Sequence, residues 1–130
     1  MKRLAALGLM LCLAVGGEGE AGVIHMVVAD LPYPRVWEAA VRAVAGYPVE
    51  RAADGVIVTG WRERPPAAGE GGFGRVQERV TLRVEPFADR ITRVTAEAEA
   101  RGWRDGQWVT IADTDAIARD VLARLRDAQS

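Results

Sequence analysis

Few residues in this 130-residue chain could do chemistry, and their spacing limits what that chemistry could be. His25 is the sole histidine and Cys12 the sole cysteine, so the imidazoles and thiolates of a closed transition-metal site are missing. Ser130 is the only serine and stands at the C-terminus, where no Ser-His-Asp arrangement can be built around it. Glu97 and Glu99 could form an acid and base pair, but they fall beside arginines, which keep a carboxylate ionised instead of raising its pKa. The stretch Gly69-Glu70-Gly71-Gly72-Phe73-Gly74-Arg75-Val76 matches the letters of a dinucleotide loop and of a kinase glycine loop. A dinucleotide loop must follow a strand and open a helix, so that the pyrophosphate meets the helix N-terminus; here a strand follows. A kinase also needs a lysine on its third strand, and the only lysine is Lys2. The glycines therefore read as a linker. No catalytic, cofactor-binding or metal-binding residue is assigned, and a non-enzyme without a cofactor is expected.

The tryptophans are the remaining candidates. Trp37 and Trp61 share their segments with apolar neighbours and are expected in the core. Trp103 and Trp108 flank the turn Arg104-Asp105-Gly106-Gln107, where they can stack across a hairpin or face a partner. With Arg101 and Arg104 beside them they form the candidate partner-binding set, because tryptophan and arginine are enriched at protein interfaces.

Where the protein works is written at its start. Lys2 and Arg3 make a basic opening, Leu4 to Val15 is an unbroken small and apolar run, and Ala14-Val15-Gly16 offers the small residues of a signal-peptidase cut. The run is shorter than the roughly 20 apolar residues of a membrane span. Residues 1–17 are expected to be a signal peptide, 18–22 a spacer and 23–130 one exported, periplasmic domain. A lipoprotein signal would instead keep Cys12 as a lipid anchor at the outer membrane. Bulky Leu11 precedes Cys12 where that cut takes a small residue, so plain cleavage is the reading adopted. Without Lys2 and Arg3 the balance is fifteen arginines against eighteen carboxylates, or −3. That excludes the basic footprint of a nucleic-acid partner.

The elements that must position these residues follow from periodicity. Val23 to Val28 is a β-branched run fit for a strand, and Asp30 to Pro34 breaks it. Val36, Trp37, Ala40, Val41 and Val44 recur at helical spacing, predicting an amphipathic helix over Pro34 to Ala45, stopped by Gly46. Strands Val49 to Ala52 and Val56 to Arg62 flank Asp54-Gly55, a two-residue hairpin signal. Arg64 to Gly74 lacks apolar periodicity and reads as a mobile surface connection. From Val76 to Val84 apolar and polar residues alternate, with Glu78 the single exception. Ile91 to Trp103 alternates Thr92, Val94, Ala96, Ala98 and Ala100 against Arg93, Thr95, Glu97 and Glu99. A turn over Pro86 to Arg90 would pair Glu85 with Arg93 and Arg79 with Glu99. Asp105-Gly106 turns the chain into Gln107 to Ile111. Asp113-Thr114-Asp115 should then cap a final helix, Asp115 to Ala128, whose leucines and valines settle over the alanine strip. The expectation is α+β: an antiparallel sheet of about five strands with two helices packed on it, in the order β-α-β-β-β-β-β-α.

Arg35-Val36-Trp37-Glu38-Ala39-Ala40-Val41, Asp54-Gly55-Val56-Ile57-Val58-Thr59-Gly60-Trp61, the Arg79 to Glu85 strand and Asp105-Gly106-Gln107-Trp108 together resemble the helix-grip domains of the BamC, or NlpB, outer-membrane assembly lipoproteins and related small envelope lipoproteins. The likeness covers roughly Val23 to Ala128. It implies a non-catalytic envelope accessory or scaffold that acts through contacts with envelope proteins. A different expectation follows from the alanine strip, which would leave room between sheet and helix for a small molecule or lipid carried in a cavity.

Overall fold

The computed structural model describes residues 22–129. The leader, Cys12, most of the spacer and Ser130 lie outside the described residues. Nine elements follow in order: β1 (Val23–Ala29), α1 (Tyr33–Ala43), β2 (Val49–Ala53), β3 (Val56–Thr59), β4 (Arg62–Arg64), β5 (Arg75–Ala88), β6 (Ile91–Arg104), β7 (Gln107–Ile111) and α2 (Asp115–Ala128). The strands make one antiparallel sheet in the order β1-β6-β5-β3-β2, with β4 beside β5 and β7 beside β6. The protein is α+β, and both helices pack on the same face of this sheet.

The long β5–β6 hairpin sets the register. Glu85 pairs with Arg93 and Arg79 with Glu99, as the charge pattern predicts. The turn is tighter than Pro86 to Arg90, because Asp89 and Arg90 alone separate the strands and a bulge at Phe87 absorbs the extra residue. Two Asp-Gly pairs close the other hairpins. Asp54 and Gly55, and again Asp105 and Gly106, all have positive φ, the mirror-image turn that matches strand twist.

One expected strand divides. The run Val56 to Arg62 breaks at Gly60-Trp61, which brings the sheet to seven strands. Val58 pairs with Thr81 and Arg62 with Glu78, so four steps along β3–β4 match three along β5. That extra residue is a β-bulge. The Thr59 hydroxyl fills the interrupted ladder, accepting from the Val80 N–H at 2.9 Å.

Apolar residues on the inner face of the sheet meet the helices. Ile24, Met26, Val80, Leu82, Val84 and Val94 pack against Val36 and Ala40 of α1 and against Val121, Leu122 and Leu125 of α2. Ala96 and Ala98 belong to this core and are buried, so α2 fills the volume that the alanines leave. The start of α2 differs from expectation. Thr114 stands at the N-cap without capping it, because its hydroxyl donates to the Ala98 carbonyl at 3.1 Å. Asp115 accepts the Gly22 N–H at 2.7 Å. These side chains spend their hydrogen bonds on closing the gap between β1 and β7 along the edge of β6. The Arg64 to Gly74 connection is also fastened. Glu70 takes two bonds from Arg64, at 2.7 and 3.1 Å, and one from the Ala67 N–H at 2.8 Å. Phe73 occupies the space that a side chain at Gly102 would need.

Candidate functional site

The outer face of the sheet is covered by no helix, and side chains from four adjacent strands form a column across it. Alternation sends Arg75, Gln77 and Arg79 of β5 outward, together with Glu99, Arg101 and Trp103 of β6 and Trp108 and Thr110 of β7. The bulge adds Trp61. Counted by alternation from Ile57 and Thr59, Trp61 should face the core; the extra residue reverses the phase, placing Trp61 outward and Arg62 inward. The expectation of a core Trp61 is therefore corrected. Trp37 does pack partly buried against the core.

Cations and indoles alternate within the column. The Arg79 guanidinium lies 4.3 Å from the Trp61 ring centre, and Arg101 lies 4.1 Å from the same ring. On its other side Arg101 is 4.3 Å from the Trp108 ring, against which Arg75 sits at 5.1 Å. Trp103 meets Trp108 edge-on, with centres 5.1 Å apart at 72°. Such contacts are worth about 0.5 to 2 kcal/mol each, the most where water is excluded. The two outer arginines are also held by carboxylates. Arg79 bonds Glu99, and Arg75 grips Glu63 in a fork of 2.9 and 3.0 Å. That fork draws the Glu63 carboxyl below the usual range and raises Arg75.

Arg101, in the middle, is different. Its Nε donates to the Gln77 Oε1 at 2.9 Å, and no carboxylate lies within 4.0 Å of it among the described residues. Partial desolvation between the rings, with Arg79 and Arg75 nearby, lowers its pKa. A groove of about 520 Å³ opens beside the column, lined by Trp61, Arg79, Glu99, Arg101 and Trp108 on the outer face and, around the edge of β6, by Ala98, Ala100 and Thr114.

Three of the four expected partner-binding residues, Arg101, Trp103 and Trp108, thus come together. Arg104 does not join them. It pairs with Gln107 at the hairpin end, one residue out of phase with the column, and its guanidinium lies 4.9 Å from the Phe73 ring. Sequence reasoning missed Trp61, Arg75 and Arg79. The outward phase of Arg75 and Arg79 was readable from the β5 alternation, whereas Trp61 depends on the bulge.

No protein-family model matches the chain, and no curated protein matches it either. The site therefore has to be judged on its own chemistry.

A second polar cluster lies on the inner face. Glu78 is 4% exposed and accepts from Arg62 at 2.5 Å, Arg64 at 3.1 Å and the Tyr47 hydroxyl at 3.2 Å. The Arg62 guanidinium also stacks 4.0 Å from the Tyr47 ring. Burial, reinforced by Glu78, pushes the Tyr47 phenol up to about 12. Arg64 is raised, chiefly by its bonds to Glu70. Each charge here has its counter-charge and its hydrogen bonds, the condition under which a buried carboxylate is tolerated. The cluster ties β4, β5 and the α1–β2 junction together. His25 stands on the outer side of β1, with Nδ1 2.9 Å from the Thr95 hydroxyl. Among the described residues no three His, Cys, Asp or Glu side chains gather in a way that could hold a metal ion.

Proposed function

We propose that this protein is an exported, non-catalytic accessory domain of the cell envelope that works by protein contacts made through the open face of its sheet. One observation carries the reading: Arg101 is held between Trp61 and Trp108 on the one sheet face that the helices leave uncovered. Interfaces draw their binding energy from such desolvated aromatic and arginine side chains, and side chains already fixed by stacking lose little freedom on docking. The leader pattern supports export. The helix-grip resemblance supports an envelope scaffold of the BamC type, and the fold is of the expected α+β class, two helices on one antiparallel sheet. The carrier reading has less support, because Ala96 and Ala98 lie in the core that α2 completes, and the groove that Ala98 and Ala100 border is open and not enclosed between sheet and helix.

Photo-crosslinking tests the proposal. A photoreactive residue at the exposed Thr110, on the column's own face and opposite Arg101, should trap a discrete envelope protein in intact cells. A Trp103→Ala/Trp108→Ala variant should lose that product while keeping its far-UV spectrum. Recovery of no envelope partner, or an unchanged product with the double variant, would sink the reading.

A further inference from the structure

The stacked column contains three cations and only two carboxylates. Glu63 and Glu99 serve its two ends, and the central Arg101 has only the neutral Gln77. Arg93, elsewhere on the same face, holds Glu85 at 2.9 Å. Arg83 has no ion-pair partner among the described residues either, but it is exposed and free to be solvated. Arg101 is half-buried between two indoles, which shield its faces and leave the edges of the guanidinium as its route to a partner. A guanidinium carries five N–H donors in a planar fork, and one of the five is committed here. The orientation is fixed, the charge is uncompensated, and four donors remain for a planar anion. Carboxylates meet this fork in two parallel bonds, among the stronger hydrogen bonds proteins make.

The groove says what accompanies the anion. Its volume of about 520 Å³ far exceeds a single carboxylate, and its walls combine the Trp61 and Trp108 rings with Ile111 and Ala112. Its occupant therefore brings apolar surface next to its charge. The groove is open and passes from the outer face around the edge of β6, which suits an extended chain better than an enclosed small molecule.

We infer that Arg101 is the anchor of a carboxylate-binding site, receiving an acidic side chain, flanked by apolar residues, from an extended segment of a polypeptide partner. The inference rests on the protein-contact reading above and supplies the chemistry of the partner. Glu99 stays with Arg79, and Arg101 pairs with the incoming carboxylate.

Tryptophan fluorescence of the full chain, titrated with the blocked peptide Gly-Glu-Leu-Glu-Gly, tests it. Saturable quenching is expected, weakening with added salt because the contact is ionic. The Gln-for-Glu counterpart of the peptide should bind at least about tenfold more weakly, the loss of one charge-assisted bond. Arg101→Gln should abolish the preference for the acidic peptide, Arg101→Lys should keep part of it, and Arg83→Gln should leave it unchanged. Equal binding of the two peptides, no saturable quenching, or an Arg101→Gln variant that still prefers Glu would overturn the inference. Inorganic phosphate binding as tightly as the peptide would also overturn it, by showing a generic anion site. Crosslinking at Thr110 separates this from failure of the parent reading. If Trp103→Ala/Trp108→Ala loses the envelope product and Arg101→Gln keeps it, the contact surface stands and the carboxylate site falls. If both variants keep it, both readings fall.

Discussion

Glu78 shows how one residue can break a pattern for a structural reason. It interrupts an otherwise strict alternation, and that interruption is visible in the sequence. What it serves is not, because its partners Arg62 and Arg64 reach the inner face only after the bulge at Gly60-Trp61 reverses their phase. Removing the carboxylate would leave two arginines facing a buried acceptor site. Breaking a buried pair costs about 3 to 5 kcal/mol, and the partial exposure of both arginines lowers that, so Glu78→Gln should lose about 2 kcal/mol in a urea titration. Tyr47 makes the same cluster sensitive to alkali. Its folded pKa of about 12 lies above the ordinary 10.0, so the folded chain holds the phenolic proton more tightly than the unfolded chain does. The stabilisation is complete below pH 10 and is lost as pH climbs towards about 12. Stability should therefore fall across that window, and Tyr47→Phe should flatten the fall while leaving the rest of the pH profile alone.

Hairpins were the most legible elements, because their signals are local. Asp-Gly pairs bounded by alternating residues specify a turn with positive φ, and both pairs adopt it. The two glycines should nevertheless respond differently to alanine. At Gly106 a Cβ meets nothing within 4 Å, so only backbone strain opposes Gly106→Ala, about 1 kcal/mol. At Gly55 a Cβ would lie 2.9 Å from the Val84 carbonyl, within a turn already joined by the 2.7 Å bond from the Val84 N–H to the Gly55 carbonyl. Gly55→Ala should cost about 2 kcal/mol, roughly double, in paired denaturation curves. The opposite charges across β5–β6 also disclosed the register. Trp61 and the N-terminus of α2 were not legible, for a common reason. A bulge and a diverted cap depend on what the neighbouring strand leaves unsatisfied, Val80 N–H in one case and the Ala98 carbonyl in the other, and no count along the chain reveals that.

At the scale of the whole molecule, one sheet carries two different faces. The inner face is apolar and closed by α1 and α2, while the outer face holds its charges in pairs such as Arg79–Glu99 and Arg93–Glu85. Exposed pairs of this kind contribute little, and double-mutant cycles on either should return less than about 1 kcal/mol. Nor is any helix among the described residues long and apolar enough to cross a membrane. The proposed leader has its own test, the intact mass of the exported chain. A cut after Gly16 gives an unmodified polypeptide, whereas a diacylated Cys12 would add lipid mass and overturn that reading. The place of β1 in the sheet has a further consequence, for the order of events in time. β5, β6 and β7 are consecutive and can zip together locally, but His25 of β1 meets Thr95 some 70 positions later. Pairing across such a separation is slow, because the loop must close before the contact is made. During synthesis β1 emerges first, and its one sheet neighbour among the described residues follows after most of the chain. The sheet cannot close until then, so β1 waits without its strand partner while most of the chain is made.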